Sequence, residues 1–334
     1  MNKSNQQIKT QQIKPKIEER KSLKELINER QLNNFLELAQ LKLEIAKKNH
    51  LPTPNFAFLS EVAQKRLNEI INRSQNKNRL QLENPKSLIE KLSNYDDLEN
   101  QLKLMKYIKR VNETAANKLL EDEDFAKKFI ENETFDAVIL SVDIRRSTEL
   151  MLKCSSAKTY AKFITLIASE FENAAKNRFA VYDKFTGDGF LAFFPDFYSG
   201  DEALINAVLC VADCKEIFDT VFNEYKNEFD LKDTITGIGA GIDVGQVYAE
   251  GGDVEYSVVG KPVVYACRFS SAPSNHVYLT ENAKNFMDKI NCGRFSLSET
   301  FIPIKHENNM KAFDICLEDF DANKISAKEP SWVK

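Results

Sequence analysis

All eleven glycines of this 334-residue chain lie between Gly187 and Gly293, and the first 186 residues contain none. Glycine serves where a backbone needs positive φ or must approach another group closely. Its absence upstream predicts long helices there. Its clustering downstream predicts strands, tight turns and a site. Two halves of unlike character follow from this one feature.

Residues 1–18 are rich in Gln, Lys and Asn and are expected to form a disordered tail, ahead of a helical region spanning 19–133. Leu23, Leu26, Ile27, Leu32, Phe35, Leu36, Leu38 and Leu41 recur at helical spacing before Pro52 and Pro54. A second helix is expected over 60–71, and Pro85 opens a third helical stretch running through to Leu120. No constellation of chemically specific residues appears in this half, which suits a packing or dimerisation module.

The texture changes at Phe135. Ala137 to Ile144 (AVILSVDI) is an apolar, β-branched run ending in a carboxylate, the pattern of a buried central strand. Ser147 or Thr148 is expected to cap a helix continuing through Phe171. FAVYDKF and FLAFF, joined by Gly187-Asp188-Gly189, read as a β-hairpin. A helix over about 201–225 precedes 235–245 and 247–250, which read as a second hairpin; 255–260 reads as a further strand, 262–272 as a short helix and 276–280 as a core strand. The fold class expected is α+β, with helices on a mainly antiparallel sheet over 134–320 and a C-terminal tail over 321–334.

Composition removes several functions. Net charge is −4, with 46 basic against 50 acidic residues, so no global basic field exists to attract nucleic acid or an anionic membrane. The six cysteines form no C-x-x-C pair and the three histidines are scattered, which opposes a zinc site and suits a reducing compartment. No signal peptide and no membrane-spanning apolar run is evident, so a soluble cytoplasmic protein is expected.

Asp143 ends the first strand and Asp188 occupies the hairpin tip. If those strands are neighbours, the two carboxylates converge and call for a cation between them. Asp143, Asp188 and the carbonyl of Ile144 form an oxygen donor set suited to Mg²⁺ or Mn²⁺. The chain after Asp143 turns into a helix whose first amides, near Arg146, suit a phosphate.

Four segments, SVDIRRSTEL, KFTGDGFLAFF, GIGAGIDVGQVY and SVVGKPVVYACRFS, resemble in order and spacing the class III nucleotidyl cyclase catalytic domain, over roughly residues 135–318. The resemblance implies a ferredoxin-like catalytic domain working as a two-fold homodimer with shared sites. It implies two divalent cations per site (Mn²⁺ or Mg²⁺) on Asp143, Ile144 and Asp188, and Arg268 as the transition-state arginine. Purine cyclases carry asparagine where this chain has Val264. Adenylyl cyclases read their base with a lysine, here Lys184, and an acidic residue, here replaced by Ser257. Guanylyl cyclases carry glutamate at the Lys184 position.

The segments VDIRRSTELMLK, DKFTGDGFLAFFPDF and VVGKPVVYACR are similar to the pyrimidine cyclases of the Pycsar antiphage systems, the PycC group. That resemblance implies cyclisation of UTP, with CTP the nearest alternative, to a 3′,5′-cyclic nucleotide that activates a separate effector. Lys184 and Ser257 are then candidates to meet the base, Phe135 to narrow its pocket, and Arg145, Arg146, Lys305 and Lys311 to reach phosphate. Two alternatives stay open: an adenylyl cyclase, and a non-catalytic cyclase-like module that only dimerises or binds nucleotide. A diguanylate cyclase is disfavoured, because the chain lacks the G-G-[DE]-E-F turn.

Overall fold

The computed structural model describes residues 98–231, 236–251, 256–290, 293–303 and 309–333. The expected tail over 1–18, the helices over 22–48 and 60–71, and Lys305 lie outside the described residues.

Among the described residues, three short helices come first: α1 (Leu98–Ile108), α2 (Glu113–Glu121) and α3 (Glu123–Glu131). The third helical stretch expected to run through to Leu120 is therefore interrupted. Asn112 caps α2 by accepting from the Ala115 amide at 2.8 Å, and Asp122 both ends α2 and caps α3 through the Phe125 amide. Side-chain oxygens that bond local amides compete with helix propagation, and here they win twice.

The sheet follows: β1 (Thr134–Arg145), β2 (Val181–Phe185), β3 (Gly189–Pro195), β4 (Gly237–Gly251), β5 (Tyr256–Val259), β6 (His276–Leu279), β7 (Ser298–Ile302) and β8 (Met310–Cys316). Its order is β2-β3-β1-β4-β6-β8-β7, with β5 paired to β4. Among the described residues, β4 and β6 pair in parallel and the other ladders are antiparallel. The remaining helices are α4 (Ser147–Lys153), α5 (Ala157–Asn177), α6 (Asp196–Ser199), α7 (Ala203–Tyr225), α8 (Lys261–Phe269) and α9 (Glu281–Lys289). The architecture is α+β.

Two expectations are corrected. The helix expected from Ser147 through Phe171 is broken at Cys154–Ser156. There the Ser155 amide bonds the Glu228 carbonyl at 2.7 Å, and the Ser156 hydroxyl caps α5 through the Thr159 amide. The hairpin expected within 235–250 is instead the single strand β4, because its glycines mark no turn. They alternate along one face of the strand.

The period of two divides β1 cleanly. Val138, Leu140, Val142 and Ile144 enter the main core with Phe163, Ile167 and Phe171 of α5 and Leu204, Val208 and Val211 of α7. Ser141 and Asp143 point to the opposite face, where α8 packs. There β4 presents Gly239, Gly241 and Gly245. A Cβ at Gly241 would lie 2.2 Å from the Ala266 carbonyl oxygen, and one at Gly239 would lie 2.3 Å from that of Ala272. Helix α8 thus rests on bare strand backbone, a closeness only glycine allows.

Near the chain end, Trp332 stacks on Tyr198 at 5.4 Å and donates its indole N–H to the Tyr198 carbonyl at 2.6 Å. Phe125 of α3 packs on the same indole. The segment after β8 is therefore docked against the helices that precede β1. No described helix is long and apolar enough to cross a membrane.

The glycine-lined face generates a test. Gly241→Ala should cost on the order of 1–3 kcal/mol, because helix backbone must shift to admit the methyl. Gly293→Ala, where an added Cβ meets nothing within 4 Å, should change stability by less than about 0.5 kcal/mol. Urea unfolding midpoints of the two variants check this.

Candidate active site

The β1–β3 ladder sets Asp143 opposite Gly189, the residue after Asp188, and the Ile144 amide bonds the Asp188 carbonyl at 2.7 Å. Asp188 thereby arrives beside the end of β1. A Cβ at Gly189 would fall 2.0 Å from the Val142 carbonyl oxygen, so this crossing needs glycine at that position. Ser147, the first residue of α4, donates to Asp188 Oδ2 at 2.7 Å. Ser147 thus acts on the carboxylate, while Arg146 takes the cap position of α4 with φ of 61° and no side-chain cap bond.

Arg145 lies two residues beyond Asp143 on the same strand face and ion-pairs with it. Burial pulls the Arg145 guanidinium below its ordinary range, and the charge of Asp188 pulls it back up. Both carboxylates therefore act on one cation. Burial, and secondarily Asp188, hold the Tyr160 hydroxyl above the usual phenol range. Arg146 is exposed and ion-pairs with Glu149. Lys311 pairs with Glu299 at 2.7 Å and sits over the Phe313 ring.

The donor set of Asp143 and Asp188 is made of hard oxygens, which fits a Mg²⁺ or Mn²⁺ ion; among the described residues no cluster of three or more acidic, His or Cys ligands occurs. The arginine drawn to both carboxylates shows the same preference for positive charge.

A second group of polar residues forms around Lys184. Its ammonium donates to Ser257 Oγ at 3.2 Å, and that hydroxyl donates to Asp183 Oδ2 at 2.8 Å. The β2–β3 register slips between Tyr182 and Lys184, so Asp183 sits in a bulge. The bulge turns consecutive side chains toward one partner, as the shared bonds to Ser257 require. Asp183 was not singled out by the sequence, although the consecutive polar pair in VYDKF breaks the alternation of an otherwise apolar strand. Cys267 of α8 faces this group too: Ser141 bonds its thiol, and Lys184 and Asp183 act on it electrostatically.

Arg268 and Val264 lie one helical turn apart on α8, with Val264 48% exposed. Phe135 belongs elsewhere. It is 6% exposed, stacks on Phe193 at 6.0 Å and meets Phe197 edge-on at 5.4 Å. Its ring thus packs within an aromatic cluster with Phe193 and Phe197.

No protein-family model matches the chain, and no curated protein matches it. Solved structures do. The adenylyl cyclase CyaB from P. aeruginosa is 17% identical with a TM-score of 0.47, over 55% of this chain and 94% of that one. The guanylyl cyclase Cya2 is 18% identical with a TM-score of 0.46, over 55% and 92%. The guanylate cyclase domain of RhGC from Catenaria anguillulae, solved with GTP, is 18% identical with a TM-score of 0.40, over 54% and 96%. All three are nucleotidyl cyclases. The chain is similar to them at levels that fix neither its family nor its activity.

The thiol at the second polar group can be checked directly. Cys267 is an exposed residue, yet the protein around its thiol desolvates it in part and holds it above the ordinary thiol range, so less thiolate exists at a given pH. Alkylation of Cys267 in the native protein should be slower at pH 8 than that of an ordinary exposed thiol and should rise further into alkaline pH. Peptide mapping by mass spectrometry after timed iodoacetamide treatment measures it; full reactivity at pH 8 would contradict the assignment.

Proposed function

We propose that this chain is a nucleotidyl cyclase that converts a pyrimidine nucleoside triphosphate, UTP before CTP, to a 3′,5′-cyclic nucleotide and pyrophosphate. The observation that carries the reading is the meeting of Asp143 and Asp188 at one end of β1, beside Arg145, which ion-pairs with Asp143. The motif resemblance, with Val264 and Ser257 departing from the purine pattern, supports the choice of base.

Asp143, Asp188 and the Ile144 carbonyl would hold two Mg²⁺ or Mn²⁺ ions. When bound, such ions lower the pKa of the ribose 3′-hydroxyl and neutralise charge on the triphosphate. Ser147 keeps the Asp188 carboxylate oriented by its hydrogen bond. Arg268 presents a planar fork of donors to the α-phosphate as charge develops there. Arg146, exposed beside the metal carboxylates, is placed to meet the triphosphate. Lys184 and Ser257 meet the edge of the base. Phosphoryl transfer depends mainly on position and charge neutralisation, so no protein base is required.

In this reading the enzyme is a homodimer, with carboxylates from one subunit facing the arginine of its partner. The cyclic product acts on a separate effector in antiphage defence, as in the systems the motifs resemble. The enzyme needs neither nucleic acid nor a membrane and works in the cytoplasm.

Incubation with equimolar ATP, GTP, CTP and UTP plus Mn²⁺, followed by chromatography, should yield cyclic UMP as the main product. Asp143→Ala and Asp188→Ala should each remain folded dimers and yield none. Arg268→Ala should lose on the order of 10²-fold or more in rate. Mixing Asp143→Ala with Arg268→Ala should restore activity, because one composite site in the mixed dimer keeps both residues. Activity in either aspartate variant alone would overturn the metal assignment.

A further inference from the structure

Asp183 opens the DKFTGDGFLAFFPDF segment but the cyclase resemblance gives it no role, yet its side chain is fully buried and directed at the only hydroxyl that contacts Lys184 among the described hydrogen bonds. A serine hydroxyl has one proton and two lone pairs. Here the proton goes to Asp183 Oδ2 at 2.8 Å, and one lone pair receives Lys184 at 3.2 Å. What Ser257 retains for a ligand is a single acceptor site. Lys184, whose side chain is 47% exposed, keeps N–H donors beside it.

We propose that Asp183 is a positioning residue that sets the proton order of the base site, fixing Ser257 as an acceptor so that the Lys184–Ser257 pair reads a carbonyl next to a ring N–H. This rests on the cyclase reading and names the ligand edge. Uracil offers that edge: its O4 accepts from Lys184 while its N3–H donates to Ser257. Cytosine has no proton on N3. It can satisfy the pair only by shifting so that its amine meets Ser257 and its ring nitrogen meets the ammonium, a different placement of the ring and hence of the ribose. A free serine would serve either base, because its proton could rotate to suit. The buried carboxylate removes that freedom. The ordering also needs the β2 bulge, since in a regular strand Asp183 and Lys184 would point to opposite faces.

The test compares kcat/KM for UTP and CTP in the full-length wild type, Asp183→Asn, Ser257→Ala and the double variant, with Mn²⁺ present. An amide at 183 can donate or accept and so releases the Ser257 proton. Asp183→Asn should lower the UTP/CTP ratio by ~10-fold, mainly through KM for UTP, with kcat little changed. Ser257→Ala should lower it similarly, and the double variant should fall no further, because both changes remove one ordered hydrogen bond. An unchanged ratio in Asp183→Asn, a parallel loss for both triphosphates, or additive losses in the double variant would overturn the inference. So would a wild type that prefers CTP, while leaving the cyclase reading standing. A wild type that makes no cyclic nucleotide sinks the cyclase reading itself. If Asp183→Asn does not fold, Ser257→Ala alone decides, since a retained UTP preference in it is incompatible with the proposal.

Discussion

The contact between helix α8 and the bare backbone of β4 is the constraint on which the other arrangements rest. Gly239 and Gly241 leave no side chain between helix and sheet, so Ala266 and Phe269 settle directly on the strand. A helix packed against ordinary side chains would stand several ångströms further out. At that height Cys267 would not share surroundings with Ser141 of β1 and Lys184 of β2, as it does. The glycine strip therefore sets how closely this helix approaches the sheet. It lowers onto the sheet the helix that also carries Val264 and Arg268.

The opposite ends of the site follow different electrostatic logic. At the end of β1, two carboxylates meet with few local donors beyond Ser147, and Arg145 answers their charge from within the strand. That intrastrand arginine ion-pairs with Asp143 and feels Asp188 only through its charge, and both carboxylates stay partly exposed. Around Lys184 the charge is buried: Asp183 has no exposed side-chain surface, and a serine hydroxyl separates it from the ammonium, which stands 3.9 Å away. One end is open to exchange of partners, and the other is ordered in advance.

Much of this was legible in the chain. The run Ala137–Ile144 announced β1, and Gly187-Asp188-Gly189 announced the hairpin, because continuous β-branched runs and Asp-Gly turns have few other uses. The errors have physical causes. Glycines in 235–250 resembled a turn, since sequence does not distinguish glycine needed for positive φ from glycine needed for close approach. The break before α5 was hidden because Ser155 finds its partner in Glu228, far along the chain. Asp183 needed a register slip to become visible.

The exchange of an acidic residue for Ser257 then has a structural reading. If Lys184 and Ser257 form the base site as proposed, the carboxylate of the adenylyl pattern has a counterpart on β2 at Asp183, one hydrogen bond behind the Ser257 hydroxyl. A carboxylate in direct contact accepts from an exocyclic amine with either oxygen and tolerates small shifts of the ring. A hydroxyl held between a carboxylate and an ammonium offers one lone pair in one direction. Moving the negative charge back by one hydrogen bond exchanges a strong, permissive acceptor for a weaker, directional one. In the proposed base site, it is the position of the acid behind Ser257, rather than the presence of a serine alone, that would give selectivity.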